Sequence, residues 1–215
     1  MRMWIGLVFV VSVLSSGYAR AGCAPEQMVK VAIRDATPGL DRNSFAAQPK
    51  TFYRLGTKYG RVEEVPDREH GLHGLMVVSE PDVWMINLFT KTGQHIVDTG
   101  APYHFHAPVL AAGDDPEFVK AFEFGCELEY LKQKSSGPPK PLDLNGRTLN
   151  SYTASEGEYK IVLVVDPATS KPFAATVHRG ETVVRYIRYL EYETGLKPIL
   201  ALFAPPKGVK YTEAK

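Results

Sequence analysis

The last third of the chain alternates apolar-rich runs with turn residues. Glu158–Asp166 (EYKIVLVVD), Lys171–His178 (KPFAATVH) and Thr182–Glu193 (TVVRYIRYLEYE) read as strands, separated by Pro167-Ala168-Thr169-Ser170 and by Arg179-Gly180. Two consecutive hairpins of this kind predict an antiparallel meander. Both faces of its last strand carry bulky groups: Val183, Ile187 and Tyr189 on one, Val184, Tyr186 and Leu190 on the other. A sheet with one face in water alternates apolar with polar residues. Here the second face has to meet something.

Upstream, the same reading gives more strands. Thr51–Lys58 and Tyr59–Val65 are punctuated by Gly56 and Gly60, and Gly74–Ser79 and Val83–Phe89 flank the turn Glu80-Pro81-Asp82. Gln94–Asp98 follows, and strand structure resumes at Arg147–Ala154. Glu26–Asp35 fits a short helix or a first strand equally well. Between the two groups of strands, Asp115-Pro116-Glu117 is a strong helix start, with a capping side chain, proline in the first turn and an acid favourable to the dipole. Phe118, Phe122, Cys126, Leu128 and Leu131 continue at helical spacing, which predicts a helix over Pro116–Lys132. Ser135–Pro141 reads as a surface loop.

The N-terminus bears on compartment. Met1-Arg2-Met3 is a short basic start, Trp4–Leu14 is apolar but too short to span a bilayer, and Ala19-Arg20-Ala21 puts small residues where a signal peptidase cuts. Residues 1–21 are therefore expected to be a cleaved signal peptide, leaving 22–215 as a single exported domain. Cys23 and Cys126 are the two cysteines of the chain, an even number in an oxidising compartment, and a Cys23–Cys126 disulfide is expected. Lipidation of Cys23 is the rival reading; Arg20 stands where a lipobox needs an aliphatic residue. Lys+Arg number 25 and Asp+Glu 24, interspersed and without a basic stripe, so no nucleic-acid partner is expected.

Catalytic and metal motifs are sparse. His104 and His106 share a strand face and His70 and His73 form a second pair, but a zinc or copper site needs further ligands that spacing does not supply. Polar loop histidines are the plainer reading, with metal binding through His104/His106 as a weak alternative. There is no G-x-S-x-G elbow, H-E-x-x-H helix, P-loop or G-x-G-x-x-G, and neither cysteine sits in a C-x-x-C pair. No cofactor and no catalytic residue is nominated. The large strand residues are the better lead: Tyr53, Trp84, Ile86, Leu88, Phe173, Tyr186 and Leu190 are candidates to line a hydrophobic cavity in a curved sheet. A plain barrel or sandwich core explains each of them individually as well.

The run IVLVVDPATSKPFAATVHRGETVVRYIRYLEYE, followed by FAPPKGV, resembles the C-terminal half of the LolA/LolB-like superfamily of periplasmic lipoprotein carriers and sorting proteins. Asp166, Pro172, Gly180, Phe203, Pro206 and Gly208 occupy the places of that pattern. Tyr59–Glu63 and Asp82–Ile86 resemble its charged strand followed by a Trp-containing strand. The resemblance implies an α+β fold: a strongly curved antiparallel sheet forming an incomplete β-barrel lidded by helices. It implies a non-catalytic carrier of an acyl chain or other hydrophobic ligand, with a membrane or envelope protein as possible partner. An envelope sensor or protein-interaction module on the same scaffold is the alternative. Pro116–Lys132 and Glu26–Asp35 are the lid candidates; no lid-contacting arginine carries over from the family, and Arg54 and Arg61 are the candidates to stand in for one. The family's glutamine-rich first strand and R-P-x-x-F/W strand are missing.

Overall fold

The structure is a computed structural model in which residues 24–100 and 115–213 are described. The first meander comprises β1 (Met28–Asp35), β2 (Lys50–Leu55), β3 (Tyr59–Glu64), β4 (Gly74–Ser79), β5 (Asp82–Asn87) and β6 (Thr92–Val97). After two short helices, α1 (Glu117–Lys120) and α2 (Glu127–Lys134), a second meander comprises β7 (Lys140–Leu144), β8 (Arg147–Glu156), β9 (Tyr159–Val165), β10 (Pro172–Arg179) and β11 (Thr182–Leu196). A last strand, β12 (Lys210–Glu213), follows a 3-10 turn at Leu200–Phe203.

All twelve strands belong to one curved sheet in the order β12-β6-β5-β4-β3-β2-β1-β11-β10-β9-β8-β7. The first and last long strands meet, β1 pairing antiparallel with β11, and this contact joins the two meanders into one surface. The ends of the sheet, β7 and β12, do not pair with each other, so the barrel stays open. β12 adds to β6 in parallel, the one parallel pairing among the described strands. His95 of β6 clamps it there, with one ring nitrogen 2.7 Å from the Asp82 carboxylate and the other 3.1 Å from Glu213. The hydrogen bond to Asp82, then that to Glu213, raises the His95 pKa.

The expected meander is present, with β9, β10 and β11 close to their predicted bounds. Three expectations change. Glu26–Asp35 is not a lid element: Met28–Asp35 lies between β2 and β11, where its alternating Val29, Val31 and Ile33 are buried. The single helix over Pro116–Lys132 is broken into α1 and α2, with Pro116 rather than Asp115 at the N-terminal boundary. The break comes at Phe122-Glu123-Phe124-Gly125, where both phenylalanines are buried and Gly125 has φ +84°. A left-handed φ is one that glycine adopts without steric penalty. Finally, β7 begins inside the stretch expected to be a surface loop and pairs with β8. The turn of that hairpin is Asn145-Gly146, both with positive φ, a pattern that suits a tight connection.

The helical segment 116–134 packs on one face of the sheet, hereafter the inner face. Phe118, Val119, Phe122, Phe124 and Leu131 are buried with Val31, Phe52, Ala154, Leu163, Val177 and Ile187 in one cluster. Tyr130 donates to the Phe118 carbonyl at 2.6 Å and Ser135 to the Thr153 carbonyl at 2.8 Å, which ties the segment to itself and to β8. A second, smaller cluster lies on the outer face, where Leu75, Val77 and Ile86 are covered by Trp84, Leu88, Val209 and Tyr211. Phe122 is fully buried, and Phe122→Ala is expected to cost about 3–5 kcal/mol in urea unfolding. Leu200 is exposed, so Leu200→Ala should stay within about 0.5 kcal/mol of the parent. Similar costs for the two would mean that the helical segment does not belong to the cooperative core.

Candidate functional site

Side chains of a strand alternate between faces, so the register decides what the inner face presents. One row across the first meander reads Val31, Phe52, Val62, Met76 and Met85, each paired with the next. The neighbouring row contains Val29, Arg54, Gly60, Val78 and Val83. Both rows point to the side that carries the helical segment.

Two polar contacts hold that segment. Arg54 is 1% exposed, and its Nη2 donates to Glu123 Oε2 and its Nη1 to the Phe124 carbonyl, both at 2.7 Å. Its Nε donates to the Gly56 carbonyl at 3.1 Å. Burial lowers the Arg54 pKa, and the Glu123 carboxylate opposes that shift. Four residues further on, at the start of α2, Glu127 is 0% exposed and accepts from the Tyr192 hydroxyl at 2.7 Å and the Tyr189 hydroxyl at 3.2 Å. Both tyrosines reach it because β11 has a register shift opposite Ala32/Ile33, which brings Tyr189 and Tyr192 to the same side. Burial raises the Glu127 pKa; backbone amides and the two tyrosine hydroxyls pull it back by less. Arg61, the other arginine singled out by the sequence, faces outward. It donates to the Leu202 carbonyl at 3.2 Å and to Glu63 at 2.8 Å, so it holds the C-terminal turn and not the helical segment.

Beside the helical segment the inner face is open over β2–β5. There Phe52, Val62, Met76 and Met85 line a hollow of about 370 Å³, within the range of small-ligand pockets. Phe52 also packs against Phe124 with ring centroids 5.1 Å apart, so the hollow abuts the helical segment. Met85 is 51% exposed although it sits on the inner face. Lys50 and Glu64 form its rim. Burial lowers the Lys50 pKa and raises that of Glu64, each partly offset by the other's charge. Lys50 Nζ is held by the carbonyls of Ala46 at 3.0 Å and Gln48 at 3.2 Å, and Glu64 lies over Gly74, where a Cβ would collide with its carboxylate. The arrangement suits an apolar group with a polar end.

The seven apolar candidates from the sequence do not gather here. Tyr53 lies in an outer-face row between Lys30 and Arg61. Trp84, Ile86 and Leu88 come together in the outer cluster, with Trp84 stacked on His95 at 5.2 Å. Phe173 lies between the Arg147 and Arg188 guanidinium groups at 5.3 and 5.6 Å. Leu190 is 53% exposed, and Tyr186 lines a different, arginine-rich cavity. Of the seven, Ile86 alone borders the hollow. The physical reason is the two-residue period: Tyr53 and Trp84 are each one place from Phe52 and Met85, and one place is the opposite face. Cys126 is buried and is not a free thiol; Cys23, His104 and His106 lie outside the described residues. His70 and His73 pair with Asp67 and Glu63, and among the described residues no group of three or more metal-binding side chains forms.

Fold and site together define an open antiparallel half-barrel with helices packed on its inner face and an apolar hollow beside them. No family model and no curated protein matches the chain. Solved structures similar to it include an uncharacterized conserved protein from Thermus thermophilus, 13% identical with a TM-score of 0.49, the match covering 88% of this chain and 91% of that one. MucB in complex with MucA(peri) is 10% identical with a TM-score of 0.39, over 84% of this chain and 55% of that one. A LolA superfamily protein from Nitrosomonas europaea is 12% identical with a TM-score of 0.32, over 85% and 91%. The superfamily that the sequence resembles is thus among the structural neighbours.

The buried Glu127 makes stability depend on pH. A carboxyl whose pKa is raised on folding contributes stability that is fully present below its unfolded value of 4.5 and is lost as pH rises through the folded value. Urea unfolding at a series of pH values should show this loss above pH 4.5, and Glu127→Gln should remove it. An unchanged slope in the variant would place the titration elsewhere.

Proposed function

We propose that this is a non-catalytic binding protein of the periplasm that holds an acyl chain or a similar hydrophobic group in the hollow lined by Phe52, Val62, Met76 and Met85. The observation that carries the reading is Met85: a large apolar side chain half exposed on the inner face, in the lining of the hollow. Covering it with a ligand releases roughly 25 cal/mol per Å² of apolar surface removed from water. The segment 116–134 acts as the lid of the half-barrel, with Arg54 as its latch. Residues 1–21 act as the export signal and 22–215 work as one domain, with Cys23 bridged to Cys126; the bridge is supported by the absence of a free thiol at Cys126.

An envelope sensor or protein-interaction module is the second reading, and the edge strand β7 favours it. All five of its residues are exposed, Leu142 and Leu144 included, and among the described residues no strand pairs with its outer edge, an arrangement that suits strand addition. Titration with a fluorescent fatty acid separates the two. Met85→Asp introduces a charge at an exposed position, where the fold tolerates it, and should weaken uptake by about tenfold or more, since burying an unpaired carboxylate is costly. Trp84→Ala, on the outer face, should bind like the parent. No uptake by the parent, or uptake that survives Met85→Asp, would refute the hollow as the binding site.

A further inference from the structure

On the outer face, at the end of the sheet where β1 leaves and β2 enters, the loop 36–48 borders an open cavity of about 460 Å³. Three solvent-exposed arginines line it, Arg34, Arg42 and Arg188. Arg34 and Arg188 are directly opposite each other in the β1–β11 pairing. Like charges in that position destabilise a sheet, so the arrangement costs free energy unless an anion compensates it. Among the described residues none of the three makes an ion pair. The acid in the lining is Asp35, and its Oδ1 is already engaged by the Thr37 amide at 2.9 Å and the Thr37 hydroxyl at 2.6 Å. Arg188 rests on the Phe173 ring at 5.6 Å, which restrains its guanidinium.

The backbone beside the arginines is fixed. Ala36 donates to the Tyr186 carbonyl at 2.7 Å and the Tyr186 amide donates to Thr37 Oγ1 at 3.0 Å, so the loop is tied to β11 next to Arg188. Tyr186 and Gln48 add neutral hydrogen-bonding side chains to the lining. Guanidinium forks match the paired oxygens of a tetrahedral oxyanion in both geometry and charge. We propose that this cavity binds a phosphate-type oxyanion, with Arg34, Arg42 and Arg188 as its ligands. The site is separate from the apolar hollow, and the proposal stands whether or not the hollow holds an acyl chain.

Two sources share this chemistry, free phosphate and the phosphate of a lipid headgroup. The full chain is titrated with inorganic phosphate and pyrophosphate at constant ionic strength, and in parallel sedimented with vesicles of phosphatidylcholine alone or mixed with phosphatidylglycerol. Arg34→Gln/Arg188→Gln is compared with the parent, its fold checked by thermal melting. Removing two like charges that face each other should leave the melting point unchanged or raised. Saturable binding of either phosphate, weakened about tenfold or more in the double variant, assigns a soluble anion. Co-sedimentation with phosphatidylglycerol vesicles alone, lost in the variant, assigns the headgroup. If no probe binds the parent, or if binding persists in the double variant, the proposal is overturned.

Discussion

The sheet depends on the filling of its inner face by the segment 116–134. A twelve-stranded antiparallel sheet that curves without closing leaves a concave apolar surface, and water on that surface would cost more than the chain could recover elsewhere. Phe118, Phe122, Phe124 and Leu131 supply the apolar cover over β1 and β8–β11. The same segment brings two carboxylates into the interior, Glu123 and Glu127. An isolated buried charge is strongly unfavourable. Arg54 answers the first, and two tyrosine hydroxyls with backbone amides answer the second. The cover is therefore placed by polar partners as well as by apolar area.

That placement creates the hollow. The segment packs against Phe52, and beside it Val62 of β3 and Met76 of β4 are partly buried while Met85 of β5 is left half exposed. The C-terminal stretch meanwhile seals the outer face of the same strands through Val209, Tyr211 and the turn at Leu200–Phe203. One face of β4 and β5 is thus closed by the chain's own end, while the other is buried at Val78 and Val83 and open at Met85. A third surface, at the opposite side of β1, gathers arginines under the loop 36–48. Lys50 touches both regions, since it rims the hollow while its ammonium group holds the turn that walls the arginine cavity.

Much of the strand content is legible because hydrophobic runs bounded by glycine, proline and turn residues carry a local signal. β2 to β6 and β8 to β11 fall close to where those runs lie. β12 carries no such signal: Lys210-Tyr211-Thr212-Glu213 has one apolar residue, and it is a strand because β6 offers an open edge and His95 offers a partner for Glu213. The helix is legible in its start and its end but not in its break, because Phe122 and Phe124 give up helical spacing to bury both rings. β7 is hidden by the prolines at and before its start, although Asn145-Gly146 is the turn signal that exposes it.

The sequence by itself determined a mostly antiparallel β chain with one helical interruption. This follows from local periodicity and from the small menu of turns. The tertiary structure decided which face of each strand is inside. Tyr53 and Trp84 stand out in sequence as cavity residues because they are large and aromatic; Phe52 and Met85, one position away, are the ones that line the hollow. A strand's alternation is visible in sequence, but its phase is set by pairing, by the register shifts in β10 and β11, and by where the cover lands. The same holds for the arginines: Arg34 and Arg188 are far apart along the chain and become neighbours when β1 pairs with β11.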